Sequence, residues 1–131
     1  MVNDPISDFI IRLKNSSAVG KKSLTVPYSN MKFAIAELLG KKGYIGAVIK
    51  KSRGASKLFS VELLYGEDGR PLIEGVKRVS KPSRRLYTKS KNIRKFRSGY
   101  GISVFSTPSG IMADSDAKKG KVGGEFLFNI W

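Results

Sequence analysis

The chain has 131 residues, no cysteine and no histidine, and it sets 25 Lys and Arg against 10 Asp and Glu for a formal net charge of +15. Disulfides, thiol or imidazole catalysis and the usual zinc and copper ligands are thereby excluded, while the length is enough for one core or two small packed halves without cross-links. No segment approaches the ~20 apolar residues of a membrane span, and neither a signal nor a transit peptide is expected, since Asp4 and Asp8 interrupt the first amphipathic stretch.

Asp4-Pro5 reads as a helix start, because an acceptor side chain satisfies free N–H groups and proline loses nothing at the first helical position. Ile6, Phe9, Ile10 and Leu13 then recur at helical spacing as one buried stripe, with Arg12, Lys14 and Asn15 on other faces, and Gly20 ends the segment. Leu24 to Val26 is a short strand stopped by Pro27. Ser29 caps a second helix whose stripe is Met31, Ile35, Leu38 and Leu39, closed by Gly43. Tyr44 to Ile49 and Leu58 to Leu64 read as an antiparallel hairpin around a basic turn of residues 50–57.

The turn-rich passage from Gly66 to Pro71 falls where one small core would be complete. It suggests an N-terminal α+β domain over 1–65, a linker over 66–75 and a mostly β domain over 76–131. In the second part Val76 to Val79 alternates, Leu86-Tyr87 forms a short strand and Ile93 to Phe96 a helical turn. A strand over 102–105 runs into the turn Ser106-Thr107-Pro108-Ser109-Gly110. Asp114 caps a short helix with Lys118 and Lys119 at its favourable C-terminal end. Gly123-Gly124 opens a last strand with Phe126, Phe128 and Ile130 on one face. The expected class is α+β with two small domains.

Charge is unevenly spread. From Lys77 to Arg97 there are ten basic residues and no acid, a density that self-repels unless polyanion or counterions cover it. Such a surplus supplies affinity for polyphosphate, whereas small hydroxyls on a rigid turn can hydrogen-bond bases and sugars at short range. Catalytic constellations are missing. Gly99-x-Gly101-x-x-Val104 lacks the third glycine of a dinucleotide loop and precedes a strand instead of following one. Asp114 and Asp116 diverge on their short helix, and Ser106 and Thr107 have no histidine partner. An enzyme is not expected.

Against this background, residues 101–112, Gly-Ile-Ser-Val-Phe-Ser-Thr-Pro-Ser-Gly-Ile-Met, together with Ala117-Lys118 and Gly123-Gly124-Glu125, resemble the signature of the bacterial-type small-subunit ribosomal protein S-eight family. Three further blocks agree: Asp4-Pro5-Ile6 with Arg12 and Asn15, Val26-Pro27 with Ser29 and Lys32, and Arg78 to Pro82 with Arg84 to Tyr87. The resemblance covers essentially the whole chain. It implies a structural constituent of the small ribosomal subunit that binds 16S-type rRNA directly in its central domain and helps assemble the platform, without cofactor or metal. Neighbours of the S-five and S-twelve type, and an association with its own messenger, are implied by some relatives. Ribosomes of the cytoplasm or of an organelle are both compatible, and a non-ribosomal RNA- or DNA-binding architectural or regulatory protein is the alternative.

Because A-form RNA exposes 2′-hydroxyls in a shallow minor groove that short hydroxyl side chains can reach, Ser106 and Thr107 are expected to make the selective contacts. Gly110 and Gly124 would allow close backbone approach, and Glu125 would orient the turn or accept a base amino group. Tyr87 would pack on sugar or base, with an ordinary core tyrosine as the other reading. Lys81, Arg84 and Arg85 would meet phosphates, and Asn15 and Lys32 a second RNA segment. Two residues depart from the family pattern: Phe105 stands for an aliphatic residue and Pro108 for a hydroxyl residue, so a contact made there must shift to Ser109, to water or disappear, while the turn is stiffened.

Overall fold

The structure, a computed structural model, describes residues 4–96 and 100–131. Arg97, the last cation of the basic run, and Gly99 of the glycine-rich turn lie outside them. The chain divides into two compact units, Pro5–Glu74 and, among the described residues, Asp4 with Gly75–Trp131.

The first unit begins with helix α1, Pro5–Ala18, which buries Ile6, Phe9, Ile10 and Leu13. Arg12, Lys14 and Asn15 face solvent. Gly20, at φ +79, takes the left-handed position after the helix, and its N–H reaches Ser17 O while that of Lys21 reaches Ser16 O. This crossed pair of bonds satisfies carbonyls that the helix end would otherwise leave open. Strand β1 (Ser23–Pro27) leads to helix α2 (Asn30–Lys41), where the Ser29 hydroxyl accepts the Lys32 N–H at 3.2 Å. Gly43 closes α2 in the same way as Gly20 closes α1, with bonds to Gly40 O and, from Tyr44, to Leu39 O.

The expected stripe of α2 needs one correction. Ile35, Leu38 and Leu39 are buried with Ala36, but Met31 is 41% exposed. Phe33 takes the inward position of the first turn, edge-on to Phe59 with centroids 5.5 Å apart. Two helical residues are rotated by about 200°, so seating Phe33 turns Met31 outward.

Strands β2 (Ile45–Arg53) and β3 (Ser56–Leu63) complete an antiparallel sheet of order β1-β3-β2. The hairpin is longer than the sequence suggested. Arg53 pairs with Ser56, so the connection is Gly54-Ala55 alone, and the basic residues assigned to a turn over 50–57 sit on strands. Gly54 at φ +61 permits this, since a two-residue hairpin turn with glycine first matches the twist of its strands. Beyond β3, Gly66 N–H bonds Arg70 O at 2.8 Å and Ile73 is buried.

In the second unit β4 (Val76–Arg78), β8 (Gly124–Ile130), β6 (Ile102–Thr107) and β7 (Gly110–Ala113) lie side by side in that order, and β5 (Tyr87–Thr88) also pairs with β8. The short helix α3 is Asp114–Lys119. Asp114 is buried there and accepts the Ser115 N–H at 2.8 Å and, through its other oxygen, the Phe96 N–H at 2.9 Å. The class is α+β, with a helix-strand-helix-hairpin unit followed by a five-stranded sheet and a short helix.

Three local expectations are corrected. The helical turn lies at Ser90–Asn92, and Ile93 is extended and buried; its apolar side chain packs in a cluster with Phe105 and Ala117. Ser106 and Thr107 belong to β6, paired with Ile111 and Gly110, which leaves Pro108-Ser109 as the whole turn. Gly110 at φ +110 makes so short a connection possible. Finally, Phe126 does not share a face with Phe128 and Ile130. A register shift on β8 sets Phe128 opposite Val104 but Phe126 opposite Phe105, and Val104 and Phe105 point to opposite faces of β6. The bulge at Leu127 therefore moves Phe126 onto the α3 side, 4.7 Å from the Phe105 ring. Phe105, one of the two departures noted above, fills that side of the core.

Candidate nucleic-acid interface

The short β5 strand is the organising element. Tyr87 pairs with Glu125, and Glu125 pairs on its other side with Ser106. Three strands thus carry one row of residues across the sheet. Beyond it opens a recess of about 610 Å³ lined by Tyr87, Ser106, Pro108, Gly124 and Glu125, with neighbours on 88–90 and Gly123. Tyr87 is 73% exposed, which removes the core-tyrosine reading and leaves its ring free to offer a face.

Glu125 is fixed from below. Its Oε2 accepts from the Ser80 hydroxyl at 2.6 Å and from Arg85 Nη1 at 3.1 Å. Ser80 is fully buried and its oxygen also accepts the Leu86 N–H at 3.1 Å. Ser80 therefore couples the strand end at Leu86 to the carboxylate, and sequence reasoning passed over it. Its signal is faint: a serine in a basic run that also holds Ser83 and Ser90 reads as surface. Arg85 has a double office, since its guanidinium holds Glu125 while the side chain remains 47% exposed.

Thr107 and Ser106 play unlike parts. The Thr107 hydroxyl is nearly buried; it reaches Gly110 O at 2.8 Å and Met112 Sδ at 3.3 Å, and accepts the Ser109 N–H at 3.1 Å. It braces the Pro108-Ser109 turn from inside. Ser106 is half-buried on the recess wall, and Pro108, Ser109 and Gly110 are exposed around the tip. Thr107→Val, which keeps shape and removes the hydroxyl, is expected to lower stability by about 1–2 kcal/mol in urea unfolding, whereas Thr107→Ser should stay close to the parent.

The two glycines differ as well. Around Gly110 there is open space, and its positive φ is what the turn requires. At Gly124 a Cβ would overlap the Ser106 carbonyl, so the close approach it permits is between β8 and β6.

Lys81 and Arg84 form a tight turn through Pro82-Ser83, with reciprocal backbone bonds of 3.0 and 2.9 Å and both side chains exposed. Arg78, although part of the basic run, has a side chain only 7% exposed. It clasps Asp4 and donates to Leu127 O at 2.6 Å. Asn15 and Lys32 are in the first unit, Asn15 exposed on α1 and Lys32 half-buried in the first turn of α2. No described residues form a cluster of three or more acids able to hold a metal ion, and no described helix is long and apolar enough to cross a membrane.

The family model described as Ribosomal protein S8 matches residues 4–131. Similar proteins, each named small ribosomal subunit protein uS8, include those of Chloroflexus aggregans (43% identical, covering 99% of this chain and 98% of the relative) and Bradyrhizobium sp. strain BTAi1 (45%, 98% and 98%). A third, from Roseiflexus castenholzii, is 41% identical over 99% of this chain and 98% of its own length. The chain belongs to the ribosomal protein S8 (uS8) family, which is not enzymatic.

Proposed function

We propose that the chain binds small-subunit rRNA directly, in the central domain, and helps assemble the platform. The observation that carries this reading is the convergence of exposed Tyr87 with Ser106, Pro108, Gly124 and Glu125 on one recess, next to the cations of Lys81 to Arg85. Exposed Arg84 and Lys81 meet phosphates and supply salt-dependent affinity. Tyr87 stacks on a base or sugar, Ser106 and Ser109 bond ribose hydroxyls or base edges, and Thr107 keeps the turn in shape. Pro108 offers no donor, so Ser109 takes the polar role at the tip, and the stiff two-residue turn lowers the ordering cost of binding. Asn15 and Lys32 touch a second RNA segment. Partners on the particle are rRNA and adjoining ribosomal proteins, for which the S-five and S-twelve types are the resemblance's suggestion.

The test compares two variants on a small-subunit rRNA fragment with an irregular helix and on plain duplex RNA. Tyr87→Ala should cost about 1–3 kcal/mol on the irregular helix, with an unchanged log–log salt slope and unchanged thermal stability. Arg84→Ala should flatten that slope by about 0.7–0.9 on either RNA. Equal losses on both RNAs for Tyr87→Ala would mean that the recess does not select.

A further inference from the structure

The β2–β3 hairpin outruns the core that its sheet covers. From Ile49 to Lys57 every residue is exposed, and burial resumes only at Leu58 and Phe59. A two-stranded ribbon that buries neither face gains little from its own fold, yet this one is well formed, with Lys51 opposite Leu58, Ser52 opposite Lys57 and Arg53 opposite Ser56 up to the Gly54-Ala55 turn.

Its charge is of one sign. Lys50, Lys51, Arg53 and Lys57 lie on it, and no acid occurs between Ile45 and Val61. The strand register distributes these cations: Lys50 and Lys57 share the face of Phe59, while Lys51 and Arg53 share the other. Lys50 is held, its Nζ 4.9 Å from the Phe33 ring centroid and 5.3 Å from that of Tyr28. Beside it opens a recess of about 270 Å³ lined by Tyr28, Asn30, Lys50, Lys51, Lys57 and Leu58, where the Tyr28 hydroxyl donates to Asn30 Oδ1 at 3.1 Å. Cations on both faces of a paired ribbon, with an aromatic-walled recess at its base, match a sugar-phosphate backbone passing over both faces. They do not match an apolar protein surface, against which unpaired lysines would be desolvated at a cost.

We infer that the β2–β3 hairpin is an RNA-phosphate-binding arm, made of residues other than those of the Tyr87 recess and other than Asn15 and Lys32. The inference rests on the reading that this chain sits on rRNA, and adds which element of the first unit grips it. Lys51, Arg53 and Lys57 each neutralise a phosphate, and Lys50, already pinned over two rings, lines the recess in which a nucleotide can settle.

The full-length Lys51→Gln/Arg53→Gln/Lys57→Gln variant retains the side-chain stems and removes three charges outside the core. On complete small-subunit rRNA its log–log salt slope should fall by about 2–3 relative to the parent, with circular dichroism unchanged; an unchanged slope would overturn the proposal. A second measurement uses the absence of native cysteine. Ser52→Cys and Ser109→Cys, each carrying a tethered iron chelate, are built into small subunits and used to cleave nearby RNA by hydroxyl radicals. Strand cuts from position 52 support the arm. No cuts from 52 alongside clear cuts from 109 sink the arm and leave the recess reading intact, whereas cuts from 52 without cuts from 109 sink the recess reading and leave the arm. Crosslinking of position 52 to a protein in place of RNA also overturns the inference.

Discussion

Gly124→Ala is expected to abolish measurable selectivity for an irregular rRNA helix and to destabilise the second unit by about 1–3 kcal/mol, the usual cost of overpacking. A Cβ at this position would overlap the Ser106 carbonyl oxygen and come within 2.9 Å of its carbon and 3.1 Å of the Thr107 Cα. All three atoms are backbone, so no rotamer change relieves the clash. β6 and β8 must part where Ser106 faces Glu125, and the Tyr87–Glu125 pair on the other side loosens with them. Because the recess is built from that row, binding should fall further than in Tyr87→Ala, where only one wall is lost. Filter binding at several salt concentrations, with urea unfolding alongside, separates the two effects. Parent-like affinity in a folded alanine variant would show that the strand spacing does not shape the site.

Arg78→Ala should strongly destabilise the fold, by about 3–5 kcal/mol. The guanidinium spans both carboxylate oxygens of Asp4, at 3.2 and 3.3 Å, while Nη1 donates to Leu127 O at 2.6 Å. The Arg78 side chain is 7% exposed and that of Asp4 13%. Truncation leaves a largely buried carboxylate without its cation and removes a donor from the carbonyl at the β8 bulge. Asp4→Asn/Arg78→Met, which removes both charges, should recover a large part of the loss, because the penalty lies in a mostly buried charge that has lost its bidentate guanidinium more than in the net worth of the pair. Any folded fraction of Arg78→Ala should retain the parent's salt slope on RNA, since this arginine faces inward. A flattened slope would instead make it a phosphate contact.

Much of the architecture was legible because it follows local rules. The α1 stripe, the Ser29 cap, the closing glycines at 20 and 43 and the strands around 24, 60 and 104 all declare themselves through spacing and backbone preference. The turns were harder. Both hairpin connections shrink to two residues, at Gly54-Ala55 and Pro108-Ser109, since strand pairing continues for as long as partners are in register, and polar or basic composition does not stop it. The bulge at Leu127 has no composition signal of its own, since Phe126, Leu127 and Phe128 are all apolar, and simple alternation therefore puts Phe126 on the wrong face.

The candidate site divides along the same line. Residue types mark out the turn from Ser106 to Gly110, and the family resemblance adds Gly124, Glu125 and Tyr87 to it. Whether a hydroxyl points inward or outward depends on pairing between segments distant in the chain, which is why Thr107 turns out to brace its own turn and Ser80, unnoticed among cations, positions Glu125. The same dependence sorts the basic run: Arg78 is spent on Asp4, Arg85 is shared with Glu125, and Lys81 and Arg84 remain at the surface. Charge, periodicity and backbone preference are properties of neighbouring residues and survive in one dimension, so they disclose the basic run, the α+β class and most elements. Solvent access and the partner of each polar atom are set by contacts across the sheet, and for those the folded chain is the only witness.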